Sequence, residues 1–309
     1  MSSQPQVAPY GTWDSPISVD LVSGNSVSFA ELHVNVSQYL SFDSFGLLKS
    51  EAKTGVIYLV EGRPVEKGRC CIVEQRGTEW VDILPLNYNA RSRVHEYGGG
   101  AVSTSPDGST IFSDYSTNGV FRLKSADEVQ PVVRASSKLR YADFDVHPLD
   151  TNMILAVQED HSDDAVENRI VLINSNDQSA KVVCQGADFY CAPRFNHDGT
   201  KLCWIQWNHP DMPWNGSDLF VANWESGFAV NAQHIAGKSS VESVGQPKWH
   251  EDGTLFFSSD RTGFTQLYRL DATSLEVHPL VLPGWTDADL TPVQVLGKYV
   301  SIPFPKITY

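Results

Sequence analysis

The sequence predicts an all-β fold, a β-propeller with about six blades of four strands each. Three observations predict it. Short apolar segments alternate with clusters of Gly, Asp, Asn and Pro, and helical periodicity is scarce. A turn followed by a strand also recurs along the chain at intervals typical of propeller blades.

The recurring unit begins with an Asp-Gly turn and continues as four to six apolar or aromatic residues. Clear copies are TSPDGSTIFSDY (104–115), FNHDGTKLCWIQW (195–207) and WHEDGTLFFSSDR (249–261). Weaker copies are KTGVIYLVEGRP (53–64), VHPLDTNMILAVQED (146–160) and VLGKYVSIPF (295–304). Asp-Gly favours the positive φ angles that a tight hairpin requires. Each copy therefore predicts a turn that leads into a strand.

The spacing of these strands matches a blade. The aligned strand positions are Ile57, Ile111, Ile154, Leu202, Leu255 and Tyr299. Neighbouring positions lie 43 to 54 residues apart, which is room for about four short strands that must pack on neighbouring units. A further strand is predicted at each of 119–125, 169–175, 217–224 and 265–272. An irregular β-sandwich with coincidental turns is the alternative.

The two ends of the chain predict how the ring closes. Residues 17–36 are expected to pair with the strand at 299–304, which would make residues 1–309 a single six-bladed domain. If the ends do not pair, an open blade edge would offer unpaired backbone groups to a protein partner. Residues 37–55 resemble an insertion, and their pattern predicts no role.

Composition narrows the partners and the compartment. The net charge of −14 and the pI of about 5.0 argue against nucleic acid and against an anionic membrane surface as partners. No apolar run approaches the roughly 18 residues of a membrane span, and no secretory signal is recognisable. Five cysteines without a CxxC pair do not predict a disulfide framework. We therefore expect a cytoplasmic protein without a cofactor.

Longer segments carry a family resemblance. They are APYGTWDSPIS (8–18), EGRPVEKGR (61–69), NARSRVHEYGGGA (89–101), RYADFDVHP (140–148), EDH (159–161), GADFYCAPRFNHDG (186–199), WIQWNHPDMPWNGSDLFVA (204–222) and GQPKWHEDGTLFFSSDRTGFTQLYRL (245–270). In this order they resemble the N-terminal β-propeller of dipeptidyl-aminopeptidase-like and acylaminoacyl-peptidase-like serine peptidases of the prolyl oligopeptidase clan. The resemblance implies a propeller that covers a serine active site and admits only peptides. It also implies seven blades, whereas the repeat predicts about six; residues 37–55 depart from the family pattern.

The catalytic half of that family is not recognisable in this sequence. The resemblance implies an α/β-hydrolase domain with a Ser, an Asp and a His, its serine in a G-x-S-x-G turn. No segment has that spacing, and both GNSVS (24–28) and GGGAVS (98–103) fail it. We therefore expect a propeller without serine-peptidase activity.

The segment RVHEYGGG (93–100) carries the first ligand-binding candidates, namely Arg93, His95, Glu96 and Tyr97. In one interpretation they line the axial mouth of the propeller and contact a ligand. A strand would place Arg93, His95 and Tyr97 on one face and Glu96 on the other. In the alternative interpretation Glu96 and Arg93 form a buried ion pair, and the three glycines allow a close approach of backbones.

The segment WNHPDMPW (207–214) carries the second group of candidates, Trp207, His209 and Trp214. Two prolines and two tryptophans predict a rigid aromatic loop that closes over an apolar ligand. The alternative is that this loop folds inward as part of the core. Further candidates at the entrance of the next blade are Tyr190 and Arg194, with Asp188 nearby. They either reach the ligand or form an Arg–Asp pair that braces a turn.

The acidic segment EDHSDD (159–164) does not predict a metal site. It lacks an H-x-x-H spacing and the glycine of a calcium loop. Glu159, Asp160, His161, Asp163 and Asp164 are therefore expected to form a solvated loop. The cysteines lie in or beside strand patterns, which predicts buried thiols that are poor nucleophiles.

Two hypotheses of function follow. The first is a free-standing or truncated peptidase-type propeller that acts as a binding or interaction module with an axial funnel. Its ligand would be a peptide or a small aromatic molecule with a carboxylate or carbonyl oxygen, matched to one guanidinium and two imidazoles. The second is a propeller recruited as an isomerase, a cyclase or an addition catalyst, with Arg93, His95 and Tyr97 giving positioning and acid–base help.

Overall fold

The computed structural model describes residues 58–280, which fold into five successive antiparallel sheets. The first sheet has three strands, β1 (Tyr58–Arg63), β2 (Arg69–Arg76) and β3 (Glu79–Asp82), with a short 3-10 helix, Pro64–Glu66, between the first two. The second has β4 (Val102–Thr104), β5 (Thr110–Ser113), β6 (Val120–Ser125) and β7 (Glu128–Val133). The third has β8 (Leu139–Val146), β9 (Met153–Asp160), β10 (Glu167–Asn174) and β11 (Ser179–Gln185). The fourth has β12 (Phe189–Phe195), β13 (Lys201–Trp207), β14 (Asp218–Glu225) and β15 (Phe228–Ala236). The fifth has β16 (Val244–Trp249), β17 (Leu255–Ser259), β18 (Gln266–Asp271) and β19 (Glu276–Pro279).

Each sheet is a meander in which strands pair in chain order, and within residues 58–280 no β-ladder joins one sheet to the next. This is the architecture of a β-propeller, so the predicted fold class is confirmed and the β-sandwich alternative is wrong. Over the same range no helix is long and apolar enough to cross a membrane. The predicted closure by residues 17–36, the insertion at 37–55 and the strand positions Ile57 and Tyr299 lie outside the described residues.

The repeat has a local physical cause. Ile111, Ile154, Leu202 and Leu255 all lie on second strands, and the four further predicted segments form the third strands. In the turn before each of these second strands an aspartate carboxylate accepts the backbone N–H two residues further on. These bonds are Asp107 to Ser109, Asp150 to Asn152, Asp198 to Thr200 and Asp252 to Thr254, all at 2.8–3.0 Å. The aspartate therefore fixes each turn by the same hydrogen bond, even where the glycine is missing.

The core lies between neighbouring sheets. Ile111 of the second sheet and Ile154 of the third share one buried cluster, while Leu202 of the fourth packs with Leu155 of the third. All four side chains are fully buried, and each contributes about 1.5–3 kcal/mol relative to an exposed position. Because each sheet depends on its neighbour for this burial, the sheets stabilise one another in series.

The first strands of the second to fifth sheets contact one another in succession, and β8, β12 and β16 each carry a β-bulge. One residue at each bulge is left-handed, namely Asp143, Ala192 and Gln246 with φ of 53–56°. Gly100, just before β4, has the same conformation. The Asp143 N–H donates to the Gly100 carbonyl (2.7 Å), and the Ala192 N–H donates to Asp143 Oδ2 (2.6 Å). These bonds connect the second, third and fourth sheets along their first strands.

Candidate functional site

Residues 93–97 form a turn and not the predicted strand. His95 and Glu96 have left-handed backbone angles, with φ of 56° and 60°. The Glu96 N–H donates to the Arg93 carbonyl oxygen at 3.0 Å. A turn does not alternate its side chains between two faces, so the predicted separation of Glu96 from His95 and Tyr97 is wrong. These three residues line the same cavity.

Glu159 and Arg140 hold this turn. The His95 N–H donates to Glu159 Oε1. Arg140 Nη1 donates to Glu96 Oε1 at 2.6 Å, to the Arg93 carbonyl oxygen at 3.2 Å and to Glu159 Oε2 at 3.4 Å. Left-handed conformations are costly for residues other than glycine, and they persist where surrounding contacts fix them. The charge-assisted bonds of Glu159 and Arg140 supply such contacts.

Arg93 points away from this site. Its guanidinium lies 4.1 Å from the ring centroid of Tyr115, and its Nη2 donates to the Tyr115 carbonyl oxygen at 3.1 Å. The predicted buried ion pair between Arg93 and Glu96 is wrong. The Glu96 side chain is 74% exposed and pairs with Arg140 instead.

One wall of the cavity is aromatic. The rings of Phe189 and Trp207 stack with their centroids 5.3 Å apart. The edge of His95 meets both rings, at 5.4 Å from Phe189 and 5.6 Å from Trp207. His209 meets Phe189 edge-on at 5.1 Å. Aromatic groups placed at the start of β12 and the end of β13 thus form one continuous apolar surface.

The loop between β13 and β14 forms the rim, and hydrogen bonds fix its position. Asp211 accepts bonds from the Ser240 N–H at 3.0 Å and the Ser240 hydroxyl at 2.7 Å. The His209 N–H donates to Asp188 Oδ2 at 2.8 Å. Trp214 is 38% exposed on this loop, whereas Trp207 is 6% exposed. The two alternatives for this segment each hold for one tryptophan. Trp207 is packed into the core, and Trp214 lies at the surface, where the exposed aromatic loop was predicted.

The cavity has a volume of about 680 Å³. Its lining comes from the turn at 94–98 and from the third and fourth sheets with their connecting loops. Six predicted ligand-binding residues lie in this lining, namely His95, Glu96, Tyr97, Trp207, His209 and Trp214. Their role in binding remains a prediction.

Tyr190 and Arg194, like Arg93, are not among the lining residues. Tyr190 is 1% exposed in the core, where its hydroxyl accepts the Ala187 N–H at 2.9 Å. Arg194 is buried and forms an ion pair with Asp143. The bulge at Ala192 explains the placement of Arg194, because an inserted residue changes which face the following side chains occupy.

Carboxylates also line the cavity. Among the residues that the structure describes, the lining includes Glu96, Glu159 and Asp188 and contains no lysine or arginine. Arg140 pairs with both glutamates from outside the lining, and its hydrogen bond holds the pKa of Glu96 below its usual range. Within residues 58–280, three carboxylates line the cavity and one guanidinium pairs with two of them, which leaves a surplus of negative charge at the cavity.

The expected solvated acidic loop is wrong for Glu159. Asp163 and Asp164 are exposed as predicted. Glu159, however, lies near the end of β9 and is 4% exposed, with His161 Nε2 at 3.0 Å from its Oε2. Oxygen and nitrogen atoms of Glu96, Glu159 and His161 lie within 4.8 Å of one another and could serve as metal ligands. The guanidinium of Arg140 already binds both glutamates, so a cation would have to compete with it.

Two ionisation shifts bear on the chemistry of the site. Burial lowers the pKa of His95, against the opposing effect of Glu159, so the buried ring favours its neutral form. Its Nε2 is buried and has no hydrogen-bond partner among the residues that the structure describes. Burial raises the pKa of the Cys70, Cys71 and Cys191 thiols, and that of Cys184 to about 12. These four thiols are therefore weak nucleophiles at neutral pH, as predicted.

Sequence reasoning missed several residues of the site. Phe189 stacks on Trp207, and Glu159 fixes the turn that carries His95. Asn168, the second residue of β10, lines the cavity and is 7% exposed. An asparagine inside the predicted strand 169–175 or next to it is the only signal the sequence offers for it, because asparagine is uncommon in strands.

Comparison with known proteins identifies the fold relatives. No protein-family profile matches the sequence, and no curated protein matches it. A puromycin-hydrolysing peptidase of Mycobacterium tuberculosis matches with a TM-score of 0.66 and 29% identity, over 74% of this chain and 37% of that one. Puromycin hydrolase matches with a TM-score of 0.67 and 24% identity, over 89% of this chain and 42% of that one. An oligogalacturonate lyase in complex with manganese, at 13% identity and a TM-score of 0.55, covers 73% of this chain and 61% of its own and shares the fold alone.

The chain thus spans about two fifths of the length of the peptidases that it matches, at 37% and 42%. The matched part is their propeller, in agreement with the all-β sheets described above. The resemblance predicted from the motifs is confirmed: this chain is similar to the N-terminal β-propeller of serine peptidases of the prolyl oligopeptidase clan.

Proposed function

We propose that this chain is a peptidase-type propeller that acts as a binding module, and that it holds an aromatic ligand with a free amine in the cavity of the third and fourth sheets. One observation carries the proposal: a stacked aromatic pair and three carboxylates line a single cavity. The volume of about 680 Å³ is in the range of small-molecule sites.

The charge of the lining decides the chemistry of the ligand. The expected carboxylate or carbonyl ligand depended on Arg93, whose guanidinium is bound to Tyr115. Glu96, Glu159 and Asp188 instead favour an ammonium group or other N–H donors. An aromatic ring that buries roughly 100–150 Å² against Trp207 and Trp214 contributes about 3–4 kcal/mol.

The peptidase neighbours fit this ligand class. They are a puromycin-hydrolysing peptidase and a puromycin hydrolase, and a puromycin hydrolase mutant at 25% identity is complexed with PGG. Puromycin is an aromatic aminoacyl compound, and it is therefore a suitable first probe for this chain.

The alternative of a small-molecule enzyme has less support. Of its three working residues, only His95 combines a place in the lining with an unpartnered side-chain nitrogen. Arg93 is bound to Tyr115, and Tyr97 is 77% exposed at the rim. These groups do not converge on one reacting atom, which general acid–base catalysis requires.

Calorimetric titration with two matched ligands tests the proposal. Phenylalaninamide carries the amine, and 3-phenylpropanamide lacks it but keeps the ring and the amide. We expect phenylalaninamide to bind at least about tenfold more tightly, because a hydrogen bond to a charged group contributes about 1.5–3 kcal/mol. Equal affinities, or no heat with either compound, would contradict the proposal.

Two tryptophan variants locate the site. Trp214→Ala should weaken phenylalaninamide binding about fivefold to tenfold, since an aromatic pair contributes about 0.5–1.5 kcal/mol beyond its buried area. Trp80→Ala is the matched control, because Trp80 is 43% exposed on β3 of the first sheet. A control variant that loses as much affinity as Trp214→Ala would move the site elsewhere.

A further inference from the structure

Glu159 and His161 form a histidine–carboxylate pair at the cavity. Both residues line it, and His161 Nε2 lies 3.0 Å from Glu159 Oε2. Glu159 also accepts the His95 N–H on Oε1 and a bond from Arg140 on Oε2, so both of its oxygens act as acceptors. A carboxylate only accepts hydrogen bonds, which assigns the proton of the neutral imidazole to Nε2. The lone pair of the ring is therefore on Nδ1.

His161 Nδ1 is accessible. The side chain of His161 is 22% exposed, whereas that of Glu159 is only 5% exposed. Within the described part of the chain Nδ1 has no hydrogen-bond partner and, unlike His95 Nε2, it is not buried. A general base must first be able to reach the proton that it removes. His161 meets this requirement, because it lines the cavity with an accessible lone pair.

The charges around the pair suit a base. When Nδ1 takes a proton, the ring becomes an imidazolium, and ligand atoms of Glu96, Glu159 and His161 all lie within 4.8 Å of one another. Arg140 pairs with both glutamates and offsets part of their charge, but the cavity as a whole keeps its surplus of carboxylates. The carboxylates stabilise the imidazolium, and Glu159 orients the ring, as a carboxylate beside a catalytic histidine does.

We infer that His161 is a general base, that Glu159 is its positioning residue, and that the cavity takes an aromatic substrate with an acidic C–H bond. The aromatic ring is the part of this inference that rests on the proposed function, because the stacked pair Phe189 and Trp207 lines the same cavity. An amine on the ligand has no part in it. The base is not one of the three residues considered above for a small-molecule enzyme.

The compound 5-nitrobenzisoxazole is a suitable probe, because it carries an acidic C–H bond on an aromatic ring system. His161 Nδ1 takes the proton of this bond. The electron pair of the C–H bond forms the third bond of a nitrile, the N–O bond breaks, and the oxygen leaves as a phenolate. The imidazolium then gives its proton to water, so atoms and electrons balance without a further reactant.

The rate of phenolate formation, followed by absorbance, tests the inference. We expect the wild-type chain to exceed the same concentration of free imidazole by at least about 100-fold, and His161→Asn to lose this excess, because a positioned general base contributes about that factor or more. His234→Asn is the matched control. His234 Nε2 lies 2.9 Å from Asp218 Oδ1 in a similar pair, but this pair is more exposed and does not line the cavity.

The control variant should keep the wild-type rate. A wild-type rate equal to that of free imidazole overturns the inference, and so does an equal loss of rate in His161→Asn and His234→Asn. EDTA should leave the wild-type rate unchanged. A rate lost with EDTA overturns the inference too, because a metal-bound group would then be the base.

Glu159→Gln tests the positioning role. An amide donates to Nε2 and leaves the proton of the ring on Nδ1, so kcat should fall at least about 100-fold while KM changes little. Nitrogen NMR of the neutral His161 ring should show the proton on Nε2 in the wild type and on Nδ1 in the variant, a change that a merely structural role would not produce. A wild-type ring protonated on Nδ1 overturns the inference whether or not the variants fold.

Phenylalaninamide separates this inference from the proposed function. If phenylalaninamide binds and the probe is not turned over, this inference fails and the proposed function stands. If the probe is turned over and phenylalaninamide neither binds nor slows the reaction, the proposed function fails and this inference stands. If phenylalaninamide does not bind and the probe is not turned over, both fail.

Discussion

Two charged clusters of the third sheet differ in how completely their groups are paired. The Asp143 cluster lies between the third and fourth sheets, where Asp143 accepts bonds from the Ala192 N–H and from Arg194. Arg194 also donates to the Pro193 carbonyl oxygen at 2.7 Å, and both charged residues are buried. The Glu159 cluster, with Glu96, Arg140 and His161, lies at the cavity and includes the largely exposed Glu96 side chain.

The difference separates structure from function. Inside the Asp143 cluster the carboxylate accepts hydrogen bonds from the Ala192 N–H and from Arg194, so the cluster connects the third and fourth sheets. At the cavity, within the described part of the chain, carboxylates outnumber the guanidinium, and the buried atoms His95 Nε2 and Asn168 Oδ1 lack hydrogen-bond partners. Surplus acceptors beside a cavity are typical of a site that a ligand completes.

Removal of Arg194 should have the largest effect on stability. Arg194→Met leaves the Asp143 carboxylate buried without its ion-pair partner, which costs about 3–5 kcal/mol of unfolding free energy. Urea unfolding measures it. The control is Arg169→Met, because Arg169 pairs with Asp160 and Glu167 nearer the surface and should cost about 1 kcal/mol or less. Similar losses of unfolding free energy in the two variants would contradict a special structural role of the buried Arg194–Asp143 pair.

The two tryptophans of the loop segment should separate stability from binding. Trp207 is 6% exposed and stacked on Phe189, so Trp207→Ala should cost about 3 kcal/mol of unfolding free energy. Trp214 is 38% exposed, and Trp214→Ala should change stability by about 0.5 kcal/mol or less while it weakens binding. Thermal and urea unfolding check both values. A large stability loss in Trp214→Ala would show that the rim is part of the core.

Acid should weaken the fold through His95. Burial lowers its pKa in the folded chain below the value of about 6.5 expected when unfolded. The unfolded chain therefore binds the proton more readily, and stability falls as the pH decreases from about 6.5 towards the folded pKa, by at most about 1.4 kcal/mol per pH unit. His95→Asn, which tolerates the left-handed backbone, should flatten this part of the stability profile. His250→Asn, at an exposed histidine, should leave it unchanged.

How much of the fold the sequence predicts depends on how far apart in the sequence the interacting residues lie. The strands around Ile111 and Leu202 are predictable because an aspartate two residues from its bonding partner fixes each preceding turn. The turn at His95 is not, because its conformation depends on a bond to Glu159, 64 residues away. The same holds for the burial of Glu159 itself, since a charged residue near a strand end looks solvated until its arginine partner is known.

Site residues divide in the same way. The tryptophan loop and the residues around His95 are predictable as candidates from their aromatic and glycine-rich composition. Arg93 and Arg194 are not correctly placed, because a cation–π contact with Tyr115 redirects the first and a bulge at Ala192 the second. Tyr190 is not correctly placed either, because its side chain packs in the core. None of these features leaves a local signal in the sequence.

A crystal structure of the chain soaked with phenylalaninamide shows whether the aromatic cavity binds the ligand through both its ring and its amine. We expect the phenyl ring against Trp207 and Phe189 beneath Trp214, with the amine within hydrogen-bond distance of a carboxylate of Glu96, Glu159 or Asp188. Density for the ligand outside this cavity, or a ring in the cavity with its amine turned away from all three carboxylates, would contradict it.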